Sequence, residues 1–132
     1  MSWTHGGQVP NNDGWSPEIS GDGRHVFFTS KASDLTPLGG NGERQVYAVD
    51  TQTGSIQCAS VSTNGVLGDN QSYNPSASES GRYVTFSSNA QNFGAASLTQ
   101  VWLRDMASGT TELVSRGHNG QLPNSSSATS FI

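Results

Sequence analysis

Residues 20–28 read SGDGRHVFF, and residues 78–86 read SESGRYVTF. Each copy opens with a serine and a tight Asp-Gly or Ser-Gly turn, then an arginine. Each closes on apolar and β-branched residues. Glycine accepts positive φ at no steric cost, so Gly23 and Gly81 mark hairpin turns, and the runs after them read as strands. Val26-Phe27-Phe28 is continuously apolar, which suits a strand covered on both faces.

The match extends in both directions. At an offset of 58, Pro17 falls on Pro75, Arg24 on Arg82, Ser30 on Ser88 and Ala32 on Ala90. Beyond a loop that is three residues shorter, the offset is 55: Gln45 falls on Gln100, Tyr47 on Trp102, Asp50 on Asp105 and Gly54 on Gly109. A period of this size is the mark of stacked or radial repeats. Each unit reads as four short strands. The first unit has them at about 16–20, 25–30, 45–50 and 55–61, and the second at about 73–78, 82–88, 100–105 and 110–115. No segment shows a helical period with caps.

The composition agrees. Apolar residues make up 32% and charged residues 12%, with Ser, Thr, Asn, Gln and Gly filling the difference, as in a chain of strands and turns. The net charge of −4, with six scattered Lys and Arg, gives no basic stripe for nucleic acid. No apolar run approaches a membrane span. The opening MSWTHGGQVP lacks a basic n-region and an apolar h-region. The expectation is a soluble chain, cytoplasmic as it stands, or periplasmic or secreted if a leader precedes it.

Tandem four-stranded units are the signature of β-propeller blades. The phrases SPEISGDGRHVFFTS and NPSASESGRYVTFSS, followed by QVYAVDTQTG and QVWLRDMASGT, resemble the TolB-like, WD-type β-propeller repeat from about Trp15 to Gly120. The resemblance implies an all-β fold with two four-stranded antiparallel blades. Blade 1 would span residues 15–72 and blade 2 residues 73–126. Residues 1–14 would end a preceding repeat, and residues 127–132 would begin a third. Many such repeats carry an acidic loop before the third strand that can hold a cation. Here that loop is LGGNGERQ in one unit and AASLTQ in the other, short of the carboxylates a hard cation needs. No metal site and no cofactor are expected.

A ring needs roughly four to eight blades. Two blades bury one interface and leave two outer faces bare. The sequence therefore predicts self-association, with a homotrimer giving six blades or a homotetramer eight. HGGQVPN at 5–11 resembles HNGQLPN at 118–124, two whole units apart, so the chain holds slightly more than two repeats. The alternative is an excised propeller piece of a larger hydrolase or of a periplasmic TolB-like protein.

Candidate ligand residues come from the repeat. Trp15 and Tyr73 are equivalents before the Ser-Pro and Asn-Pro steps; they could stack on a glycan or peptide, or pack between blades. Arg24 and Arg82 follow the tight turns; they could hold an acidic group, or stabilise the turn. Asp50 and Asp105 are expected to bond their own turns. Cys58 is expected to be a small buried hydrophobe. His5, His25 and His118 lack metal-ligand spacing, and no G-x-S-x-G elbow is present. With no catalytic constellation, the expectation is a binding or scaffold module rather than an enzyme.

Overall fold

The computed structural model describes residues 13–94 and 99–114. They form eight strands: β1 (Gly14–Ile19), β2 (His25–Ser30), β3 (Gln45–Asp50), β4 (Ile56–Cys58), β5 (Ser72–Ala77), β6 (Tyr83–Ser88), β7 (Gln100–Asp105) and β8 (Thr110–Leu113). There are two four-stranded antiparallel sheets, β1-β2-β3-β4 and β5-β6-β7-β8, each a simple meander. The fold is all-β, and no helix occurs among the described residues. The proposed beginning of a third repeat, and both histidine-containing end segments, lie outside the described residues.

The quoted turns explain themselves at atomic level. Ser20 N–H donates to His25 C=O (2.8 Å), and Gly23 N–H to Ser20 C=O (2.9 Å). Ser20 Oγ accepts from His25 N–H (3.0 Å). The second unit repeats this. Ser78 N–H meets Tyr83 C=O and Gly81 N–H meets Ser78 C=O, while Ser78 Oγ accepts from Tyr83 N–H. Gly23 and Gly81 sit at φ of 77° and 76°, where a Cβ is strained. Ser20 and Ser78 thus belong to the turn, which ends β1 and β5 one residue before the sequence suggests.

Both first strands carry a bulge at the same place. The register slips between Trp15 and Glu18, and between Tyr73 and Ser76. Pro17 and Pro75 lie in these steps and cannot donate to a ladder. The residues before them, Ser16 and Asn74, take positive φ of 53° and 54°. A bulge absorbs one extra residue and bends the strand.

The fourth strand is shorter than the sequence predicts. Ala59 N–H and Ser60 N–H both turn to Val46 C=O, and Ser60 Oγ takes the Val46 N–H (2.9 Å). That exchange breaks the ladder after Cys58.

The two sheets pack through a core of Phe27, Val46, Ala48 and Ala59 from the first and Val84, Phe86, Trp102 and Leu113 from the second. Phe93 closes it edge-on to Phe86 (6.2 Å) and Trp102 (5.3 Å). On the other face of the first sheet a second cluster holds Phe28, Tyr47, Val49, Cys58 and Leu35. Phe27 and Phe28 therefore serve opposite faces, as their continuous run predicts.

These contacts fix the sense of the stacking. The second-unit equivalents of Phe28 and Tyr47 are Phe86 and Trp102, and these face the first sheet. The equivalents of Phe27 and Ala48 are Thr85 and Leu103, which alternation places on the far side of the second sheet. Each unit thus offers a different face to its neighbour, and the packing runs head to tail.

Candidate functional site

The unit junction is built from the turns. Asp22 N–H donates to Glu79 C=O (2.8 Å), tying one tight turn to the other. His25, the first residue of β2, lays its ring on Gly81. A Cβ added to Gly81 would lie 2.5 Å from His25 Nδ1 and 2.8 Å from Cγ. Glycine is required there both for φ and for close approach. Further along the junction, Thr111 N–H donates to Thr63 Oγ1 (3.1 Å), and Arg104 Nη1 donates to Ser62 C=O (3.3 Å).

Each unit also binds its two turns together with one ion pair. Arg24 Nε and Nη2 reach Asp50 at 2.8–3.1 Å. Arg82 reaches Asp105 at 3.0 Å and 3.1 Å. Asp50 Oδ1 also accepts from Gln52 N–H (2.9 Å), and Asp105 Oδ1 from Ala107 N–H (3.0 Å). The expectation that these aspartates bond their own turns holds. The guanidinium of Arg24 holds the Asp50 carboxyl well below its ordinary range, with partial burial opposing and the turn N–H groups assisting. Arg82 does the same for Asp105.

Between the units lies a cleft of about 360 Å³. His25, Asp50 and Gln57 line it from the first sheet, and Ser80, Arg82 and Met106 from the second, with Ala48 at its apolar base. His25 Nε2 stands 3.9 Å from Asp50 Oδ2, while Nδ1 is buried with no partner.

The four candidates named from sequence are divided by the fold. Trp15 pairs with Thr29 and Tyr73 with Ser87, towards the ends of the sheets remote from the tight turns. Arg24 and Arg82 sit at those turns. Trp15 shares the inter-sheet face with Thr29, whereas Tyr73 shares the outward face of the second sheet with Ser87. Trp15 is 37% exposed and lies under the Arg44 guanidinium, 4.9 Å from the ring centre. Of the four, only Arg82 lines the cleft. Its guanidinium also sits 5.0 Å over the Tyr83 ring.

Cys58 is buried, 3.6 Å from Ser60 Oγ, and burial pushes its thiol up to about 11. It behaves as the small hydrophobe its strand position predicts. Among the described residues no group of three or more His, Cys, Asp or Glu is placed to hold a metal ion. No helix among them is long and apolar enough to cross a membrane.

His25, Gln57 and Met106 were not marked as ligand residues by the sequence. They come from separate turns and strands, and only docking of the units joins them. The one available signal was that His25 and Tyr83 fill the same place after the repeated turn.

No family model matches this chain, and no curated protein matches it.

Proposed function

We propose that this chain is a non-enzymatic β-propeller module of the TolB-like, WD-type kind. Each copy contributes two blades, and copies assemble head to tail into a ring of three or four chains that presents its loops to a ligand. The observation that carries this reading is the His25–Gly81 contact. Within the chain, the first residue of one unit's second strand seats on the turn glycine of the next unit. Both halves of that contact recur unmatched. Among the described residues nothing lies within 4 Å of a Cβ on Gly23, the equivalent of Gly81. Tyr83, the equivalent of His25, stands on the outward face of the second sheet.

A second copy supplies what is missing. Its Gly23 receives Tyr83, and its Gly21 C=O receives Ser80 N–H, as Glu79 C=O receives Asp22 N–H within the chain. Thr85 and Leu103 then lie against the half-buried Val26 of that copy, beside Phe28 and Tyr47, which its own Leu35 and Val61 already bury. A heterologous contact of this kind closes a ring when its rotation divides the circle. The repeated end phrases HGGQVPN and HNGQLPN favour a second reading, in which the neighbouring units belong to one longer chain.

The test is Leu103→Asp, which places a charge on the outward face and leaves the chain's own inter-sheet core intact. Size-exclusion chromatography with light scattering should show wild type as an oligomer and the variant as a folded monomer. A variant of unchanged mass, or a monomeric wild type, would contradict self-assembly.

A further inference from the structure

The outer edges of the two sheets differ in one respect. β8, the last strand of the second sheet, is capped by the loop that leaves β4. Thr63 Oγ1 accepts from Thr111 N–H (3.1 Å) and donates to Thr111 C=O (3.2 Å). Thr111 Oγ1 donates to Val61 C=O (2.6 Å), and Arg104 Nη1 to Ser62 C=O (3.3 Å). Residues 61–63 of the first unit thus occupy backbone groups that an edge strand otherwise leaves open for another chain.

β4 is the same strand one unit earlier, and its edge is open. Asp50 N–H donates to Ser55 C=O, and Ala59 N–H to Val46 C=O. The alternation of an antiparallel ladder then turns the Ile56 N–H and C=O away from β3, towards the free side of the sheet. Ile56 is the equivalent of Thr111, and no described residue bonds its outward N–H or C=O.

The capping loop has a defined form and a second copy in the sequence. Ser62 N–H donates to Val66 C=O and Gly65 N–H to Ser62 C=O, while Val61 bridges Leu67. Gly65 makes the turn at φ of 81°. At the offset of 55, Ser60, Asn64, Gly65 and Leu67 recur as Ser115, Asn119, Gly120 and Leu122. The chain also leaves both sheets in the same way. Ala59 N–H donates to Val46 C=O, and the equivalent Val114 N–H donates to Val101 C=O. Residues 115–122 lie outside the described residues, and no described sheet lies beyond the second to receive a cap from them. The stretch 2–9 is a poorer copy, matching the loop only at Ser2 and Gly7.

In a head-to-tail stack one operation relates each unit to the next. The contact between Thr63 and Thr111 then becomes His118 of one copy against Ile56 of another. An imidazole nitrogen can accept from the Ile56 N–H, or an imidazole N–H can donate to its C=O. Ile56 and Val49 stand where Thr111 and Arg104 do, so the two side-chain bonds drop out and the backbone groups of Ile56 remain to be met.

We propose that the loop following β8, residues 115–122, caps the open edge of β4 in a second copy of the chain, with His118 placed at Ile56. The proposal rests on the head-to-tail assembly above and names the segment and the edge that join the copies.

Disulfide trapping on the full chain tests it, in a Cys58→Ser background that leaves only the introduced thiols. Thr63→Cys with Thr111→Cys is the reference pair and should close within one chain. Ile56→Cys with His118→Cys should close between chains as readily, giving covalent oligomers on non-reducing gels that a reductant returns to monomer. Ser55→Cys with His118→Cys should also link chains, and it alters only an exposed residue beside Ile56, so the test does not depend on Ile56→Cys remaining folded. Ile56→Cys with His5→Cys should stay open. Light scattering on the reduced variants separates this proposal from the assembly itself. An oligomer whose His118 pairs stay open, or whose His5 pair closes in their place, overturns the cap and leaves the ring standing. A monomer whose His118 pairs stay open overturns both.

Discussion

Three glycines at nearly the same φ give an internal measure of how the units dock. Gly23, Gly54 and Gly81 sit at φ of 77°, 75° and 76°. Alanine at any of them carries the left-handed strain of an L-residue, about 1–2 kcal/mol. At Gly23 and Gly54 an added Cβ meets nothing described within 4 Å, so the strain is the whole cost within the chain. At Gly81 the Cβ falls 2.5–2.9 Å from three atoms of His25. The ring must move, and overpacking of this kind adds a further 1–3 kcal/mol or so. Urea unfolding followed by tryptophan fluorescence reads the difference, since Trp102 lies in the inter-sheet core.

Gly81→Ala should therefore be more destabilising than Gly54→Ala by that excess. In a His25→Ala background the excess should vanish, because the ring that opposes the new methyl is gone. The assembly adds a second arm. In the assembled oligomer Gly23→Ala should carry its own excess, and Tyr83→Ala should remove it. Equal costs at Gly54 and Gly81 would refute the docking geometry. So would an excess at Gly81 that persists without His25.

Two further outcomes follow from the ionisable groups. The Asp50 and Asp105 carboxyls titrate below the ordinary 3.8 in the folded chain, so their ion pairs stabilise it fully above that value. That contribution is lost as pH falls through the folded values; urea midpoints should drop on acidification, and Arg24→Met with Arg82→Met should flatten the dependence. Buried Cys58, its thiol raised to about 11, should resist a thiol reagent at neutral pH in the native state and react fully in denaturant. Rapid native labelling would show that β4 opens.

The strands were legible because the repeat states each one twice. His25–Ser30 and Gln45–Asp50 fall where the apolar runs and turn glycines place them. The bounds that shifted did so through side chains competing with the ladder, Ser20 and Ser78 at the tight turns and Ser60 after Cys58. The equivalence of Arg24 with Arg82, and of Asp50 with Asp105, could be read from the sequence. That each arginine grips the aspartate 26 or 23 residues onward could not, because the pairing depends on how the two turns meet. The cleft was invisible for the same reason: its walls come from different units. Equivalence also misled in one respect. Trp15 and Tyr73 share a place in the repeat, yet head-to-tail stacking turns one towards the junction and the other away from it.

The central claim is that two units are an incomplete stack and that copies of the chain complete it. Light scattering across a dilution series, giving absolute mass in solution, tests this most directly. The account predicts a trimer or tetramer whose mass does not change on dilution. A monomer at every concentration would contradict it and assign the missing faces to units of a longer chain.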